Sequence, residues 1–320
     1  MGSGTVNKNN KTKTVEYGKY GYIFILPFFI AFLVFQFYPL IYTFWTSMWQ
    51  EVKTGRSSSE MVFGFGNYAQ YVFGDSNEVF VAIRTTIVLW LLNFIPQILL
   101  SLLLAAWFTD AHNKLKGQGA YKVIMYMPNI ITAATIAVLF YNLFDIHGSI
   151  TAVMKSFGWI TGETSMLMSG YASLFIIAFI QFWMWYGNTM IVLIAGIMGI
   201  SPSLYEAAMV DGASSRQQFF RITLPLLKPI LQFTLVTSAI GGLQMYDIPQ
   251  LFNGGGPDIS QGGQMVRSTE TIVMLIKKYV SAGPQQNYGR AAAYSVVLFI
   301  ITLAISMVFY KLTSEKKQSR

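Results

Sequence analysis

The sequence predicts an all-α integral membrane protein with six spanning helices and a helical hairpin presented on one side. Three observations lead there: a composition poor in charge, six long apolar segments, and basic residues that alternate between connections. Of 320 residues, 53% are hydrophobic and only 11% are charged, against roughly 25% charged in a typical soluble domain. A water-soluble fold of this length needs more polar surface than these residues supply.

Crossing about 30 Å of hydrocarbon takes about 20 mostly apolar residues. Six segments meet that requirement: Tyr20–Met48, Phe80–Phe108, Val123–Phe144, Tyr171–Gly199, Pro229–Phe252 and Arg290–Tyr310. The fourth is long enough to tilt or to extend beyond the bilayer. The expected organisation is a polar tail over 1–19, a membrane domain over 20–310 that includes the loop 200–228, and a second tail over 311–320. Met1–Gly4 could be a cloning scar and carry no weight in the fold. No short apolar stretch with a small-residue cleavage site follows the lysine-rich start, so no cleaved signal peptide is expected.

Orientation follows from the lysines and arginines, which accumulate on the cytoplasmic side. The two tails with the loops Thr109–Lys122 and Ile200–Lys228 hold 14 basic and 5 acidic residues, leaving 8 basic and 9 acidic for the rest. Both termini are therefore expected in the cytoplasm, as an even number of crossings requires. This distribution also explains the net charge of +8 without invoking nucleic acid.

Several functions are disfavoured. The chain has no cysteine, which excludes thiolate metal or redox sites, and His112 and His147 lack partners at metal-ligand spacing. No GxxxxGK[ST] loop occurs, so the chain is not expected to hydrolyse ATP. No carboxylate pair, histidine cluster or activated nucleophile lies at one membrane depth, which argues against a membrane enzyme. An ion-coupled carrier should show an internal repeat and midplane charges. Arg84 and Asp247 lie near span ends instead.

The loops Gln50–Val79, Asp145–Gly170 and Asn253–Gly289 are too short for domains. Thr269–Tyr279 has helical spacing, and FNGGGPDISQGG before it reads as loop.

The loop after the fourth span, SPSLYEAAMVDGASSRQQFFRITLPLLKPI, encodes two short helices. Pro202 suits a first turn and Ser203–Glu206 fits a capping box. Gly212 beside Asp211 supplies the stop, in the left-handed conformation. Ser214 with Gln217, or Ser215 with Gln218, caps the second helix. Ala207 and Ala208 permit close approach to a partner groove, and Glu206 offers a carboxylate to an arginine. An interfacial helix lying on the bilayer is the alternative.

Glu206, Ala207, Ala208, Gly212 and the closing Ile222-Thr223-Leu224-Pro225 resemble the signature loop of ABC importer permeases, a fold class called type I. The resemblance covers most of the chain and lies nearest the carbohydrate-importing branch represented by the larger maltose permease subunit. Supporting matches are Met127-Pro128-Asn129, Gly148-Ser149-Ile150, Gly254–Pro257 and Gly289–Ala293.

The resemblance implies that the hairpin, through Glu206, Ala207, Ala208, Asp211, Gly212, Leu224 and Pro225, docks into a separate ATPase subunit. It also implies a homologous second permease subunit, a dimer of ATP-binding subunits that carry the ATP and Mg, and an extracytoplasmic binding protein. The setting it implies is a bacterial or archaeal cell membrane, the cargo a carbohydrate, and no cofactor is expected in this chain.

Sugars need aromatic faces and a few amides or hydroxyls in an apolar cavity. On the fourth span Gln181, Met184, Trp185 and Asn188 share a helical face. On the fifth, Ser238, Gly241, Gly242 and Met245 share another, with Gln244, Tyr246 and Asp247 near the outer end. Interhelical hydrogen bonds and close helix packing are the structural alternatives for these residues. In the family the same spans supply most sugar contacts. Trp185 is bulky, and Gly241 and Gly242 small, where the maltose subunit differs, so maltose itself is not implied. A non-sugar polar solute would fit a similar frame, although a phosphate would favour an arginine-rich cavity. Asn93, Pro96 and Asn142 are further candidates for lining the path.

Overall fold

A computed structural model of the protein describes residues 18–53, 59–74, 77–110, 116–162, 164–261, 264–281, 283 and 286–313. His112, Met1–Gly4 and most of both tails lie outside the described residues. Two compact units are present, 1–45 and 46–320. The first contains most of helix α1 (Tyr20–Ser47), which widens at Leu33–Phe37. Phe24, Phe28, Phe35 and Tyr42 are all exposed, the pattern of a helix apolar on every side.

The second unit is built on α2 (Glu78–Thr109), α6 (Gly170–Met198) and α12 (Tyr288–Thr313). Among the described residues five helical runs are each long and apolar enough to cross a membrane. A sixth crossing exists if Ser215–Leu226 and Lys228–Asn253, bent by 67°, count together. The bundle agrees with the expected architecture, while two of the six segments are broken rather than continuous.

The third segment, expected over Val123–Phe144, is two helices, α3 (Gln118–Ile130) and α4 (Ala133–Phe144). Ile131 is extended, and Thr132 caps α4 by accepting from the Thr135 N–H at 3.3 Å. Next comes the short helix α5 (Ser149–Ser156). The fifth segment divides likewise into α9 (Lys228–Leu243) and α10 (Asp247–Asn253), separated by Gln244–Tyr246. Apolar composition alone does not reveal such breaks.

Backbone proximity is set by glycine. A Cβ at Gly187 would lie 2.4 Å from the Met125 carbonyl oxygen, so the close approach of α3 to α6 at that point needs glycine. One at Gly196 would strike Ile230 and Leu227, which seats the start of α9 on α6.

Two apolar clusters form the core. One gathers Leu89, Trp90, Ile177, Ile180, Leu243 and Tyr294, and the other Leu104, Phe108, Met190, Leu193 and Leu227. Between them α2 and α6 are joined by polar bonds. Gln97 Nε2 donates to Thr189 Oγ1 at 2.7 Å, and Ser101 Oγ donates to the Tyr186 carbonyl at 2.7 Å. A buried polar group in hydrocarbon must find such a partner.

The connection before α2 contains a hairpin, β1 (Trp49–Lys53) with β2 (Ser59–Phe63). FNGGGPDISQGG is only partly loop, because β3 (Asp258–Gln261) pairs antiparallel with β4 (Gln264–Arg267). Ile259 faces Val266 across that ladder, and Arg267 Nε lies 3.7 Å from Asp258 Oδ1. Helix α11 (Ile272–Ser281) follows, starting three residues later than its apolar spacing suggests.

An ionic and aromatic cluster gathers α2, α11 and α12. Glu78 accepts from Lys278 Nζ at 2.7 Å, Tyr279 Oη at 2.7 Å and Arg290 Nη2 at 2.6 Å. The Arg290 guanidinium also lies 3.9 Å from the Tyr279 ring centroid and 4.4 Å from that of Tyr71. Burial, reinforced by the Glu78 carboxylate, pushes the Tyr279 phenol up, so it stays a donor.

Candidate functional site

A cavity of about 470 Å³ opens between α2, α6 and α9, within the roughly 300–1,000 Å³ range of small-ligand sites. Its wall contains Gln181, Met184, Trp185 and Asn188 from α6. It also contains Ser238, Gly241 and Gly242 from α9, with Gln244, Met245, Tyr246 and Asp247 from the break and the start of α10. All eleven candidate cargo-binding residues therefore border one space.

Their roles in the wall differ. Met184 and Met245 are buried, while Trp185 is 46% exposed. A Cβ at Gly241 would meet nothing within 4 Å, whereas one at Gly242 would lie 2.1 Å from Trp90 Cδ1. Gly241 thus leaves room in the cavity, and Gly242 lets α9 close on α2. Met245 does not continue the helical face of Ser238 and Gly241, because α9 has already ended. Its carbonyl accepts from Thr271 Oγ1 at 3.0 Å, which fixes the break.

Asn93 borders the cavity and donates to the Leu89 carbonyl at 2.8 Å. Pro96 and the exposed Asn142 are not in the wall. Gln97, Thr189, Thr234 and Thr237 are in the wall although the sequence reading passed over them. Gln97 falls one turn beyond Asn93 on the same face, which is the signal that could have found it.

At the opposite end of α6 the loop 200–228 folds as the hairpin α7 (Pro202–Val210) and α8 (Ser215–Leu226). Pro202 takes the first helical position as expected, but the N-cap is Ser201 rather than Ser203, and it forms no side-chain cap. Ser203 Oγ instead lies 2.8 Å from Ser201 Oγ. Gly212 has φ +75°, the left-handed stop, with open space around it. A reciprocal capping box forms between Ser214 and Gln217, which decides between the two serines.

Two further bonds stiffen the turn. Tyr205 Oη lies 2.9 Å from Thr223 Oγ1 across the hairpin, and Gln218 Nε2 donates to the Ala213 carbonyl at 3.0 Å. Glu206, Ala207, Asp211 and Gly212 are exposed, Ala208, Leu224 and Pro225 half-buried. The hairpin therefore offers a small-residue, acidic surface from a base anchored by buried Leu227.

His147 is exposed beyond the end of α4. Among the described residues no group of three histidine, aspartate or glutamate side chains could hold a metal ion.

An apolar bundle with a cavity between its spans that carries amides and hydroxyls in its wall, and a helical hairpin at one end, defines a membrane translocation component. Residues 97–317 match the family model described as binding-protein-dependent transport system inner membrane component. The chain belongs to that family. It is 30% identical to the trehalose/maltose transport system permease protein of Thermococcus litoralis, over 95% of this chain and 97% of that one. To the lactose transport system permease protein of Rhizobium radiobacter it is 27% identical, over 92% and 95%. It also shares its fold with a solved bacterial alginate ABC transporter in complex with an alginate pentasaccharide-bound periplasmic protein. In that comparison the TM-score is 0.70 and the identity 23%, with 95% of this chain and 97% of that one covered.

Proposed function

We propose that the chain is a permease subunit of an ATP-driven importer that passes a sugar or short oligosaccharide received from an extracytoplasmic binding protein. The observation that carries this reading is the cavity wall. Amides, hydroxyls and the broad Trp185 indole converge on one space between spans and leave it room at Gly241. That is the chemistry a carbohydrate demands, since its rings stack on aromatic faces and its hydroxyls pair with amides. The names of the relatives agree with it.

In this reading a homologous second subunit completes the membrane path and a pair of ATP-binding subunits supplies the force. The exposed surface around Glu206, Ala207 and Gly212 docks into a groove of one ATP-binding subunit. Closure of the ATPase pair moves the hairpin. Because α8 leads through the 67° bend into α9, which lines the cavity, a movement of the hairpin has a short path to it. The charge distribution supports cytoplasmic tails and a cytoplasmic hairpin.

The test is Glu206→Lys and Gly212→Asp in the complete reconstituted transporter. We expect uptake to fall at least about tenfold, while the transporter's ATPase activity persists without its normal response to loaded binding protein. Both positions are exposed, so assembly should survive. Normal uptake by both variants would overturn the docking assignment.

A further inference from the structure

Among the described residues the cavity wall holds one side chain with a formal charge at neutral pH, Asp247. The other polar groups there are amides and hydroxyls, such as Asn93, Gln181, Asn188 and Ser238, and no lysine, arginine or histidine contributes. The cation nearest in the structure's bonding pattern is Lys277. It is exposed, donates to Tyr246 Oη and lies 4.4 Å from the Tyr246 ring centroid, outside the wall.

We infer that this cavity is a charge filter. It admits uncharged and amino sugars and rejects uronates and sugar phosphates, with Asp247 as the specificity-determining residue. The inference rests on the sugar-import reading and narrows its cargo. Asp247 is exposed at the edge of the cavity, and a carboxylate or phosphate that passes it meets a like charge with no cation in the wall, which disfavours entry. A neutral sugar meets the opposite situation. Its vicinal hydroxyls donate to the Asp247 carboxylate in charge-assisted hydrogen bonds. One side chain thus supplies both the attraction to the right cargo and the repulsion of the wrong one.

The absence of cysteine allows a direct test. Gly241→Cys places a single thiol where a Cβ meets open space, and Ser238→Cys is the second site should the first fail to assemble. The full-length chain, co-expressed with its transporter partners, is exposed to sulfonatoethyl and trimethylammonioethyl methanethiosulfonates. Labelling of this chain is followed by mass, and rates are normalised to those with 2-mercaptoethanol.

The cationic reagent should react at least about tenfold faster than the anionic one. Adding Asp247→Asn should bring the ratio close to one. A ratio near one with Asp247 in place, or a ratio indifferent to Asp247→Asn, would overturn the filter. Protection is a separate readout. Slower labelling with a neutral oligosaccharide mixture but not with oligouronates supports the cargo class, and protection by oligouronates overturns it. If no saccharide protects while the reagent ratio holds, the sugar-import reading fails, and with it the cargo class, while the charge selectivity set by Asp247 stands.

Discussion

Gly241 and Gly242 are neighbours in the chain, yet a methyl added to the first meets open space while one added to the second strikes the Trp90 ring. Gly242→Ala should therefore destabilise the protein by about 1–3 kcal/mol, the usual cost of overpacking. Gly241→Ala should be neutral or slightly stabilising, because alanine favours a helix over glycine by about 1 kcal/mol. Thermal unfolding of the purified transporter separates the two. Gly241→Leu extends the contrast, since it should leave the unfolding midpoint unchanged while lowering uptake by filling the cavity.

Individual polar liners were legible where several shared a face. Gln181, Trp185 and Asn188 recur at helical spacing on a long apolar span, where each needs a reason to be there. Gln97 had only its place one turn beyond Asn93 to mark it, and Thr189 was not legible because alone it resembles ordinary interhelical bonding. Their mutual hydrogen bond at the edge of the cavity emerges only when α2 and α6 are packed.

The Glu78 cluster binds three elements far apart in sequence. Glu78 opens α2, Lys278 and Tyr279 sit on α11, and Arg290 lies in the first turn of α12. Side-chain exposure is only 15% for Arg290 and 25% for Glu78. Removing one partner leaves a largely buried charge unpaired. Glu78→Ala should cost about 3 kcal/mol and raise amide hydrogen exchange along Ile272–Ser281. If exchange there is unchanged, the cluster does not hold α11 in place.

The breaks in the third and fifth segments belong to the same level of organisation. Mean hydropathy runs through both, but a helix in hydrocarbon can stop only where other groups take over its backbone bonds. Thr132 does so for α4, and Thr271 does so at Met245. Neither partner is recognisable from the apolar run it interrupts. The ends of α7 and α8 were more accessible to reading, because proline, glycine and a serine–glutamine pair act over a few residues. Even there Ser201 displaced Ser203, a two-residue ambiguity between the serines on either side of Pro202.

The two features that matter for transport sit at different levels of the bundle. The cavity lies along α9 and the middle of α6, and the hairpin joins the ends of the same two helices. A push on the hairpin can therefore reach the cavity without a separate signalling path. The proposed docking onto an ATP-binding subunit requires the hairpin to face the cytoplasm. A periplasmically active phosphatase fused after residue 320 should be inactive, and the same enzyme inserted near Gly262 should be active. The reverse pattern would invert the topology and remove the hairpin from reach of any cytosolic ATPase.

Bilayer thickness, the side preference of basic residues and local capping chemistry all act on short stretches of chain. The number of apolar segments, their expected orientation and the hairpin could accordingly be read from the residues in order. Which spans approach closely, where a crossing breaks, which glycine is a contact and which a space, and that eleven residues border one cavity all depend on groups distant in sequence. Those distant pairings, Gly242 on Trp90, Thr189 on Gln97 and Glu78 on Arg290, exist only once the helices have packed.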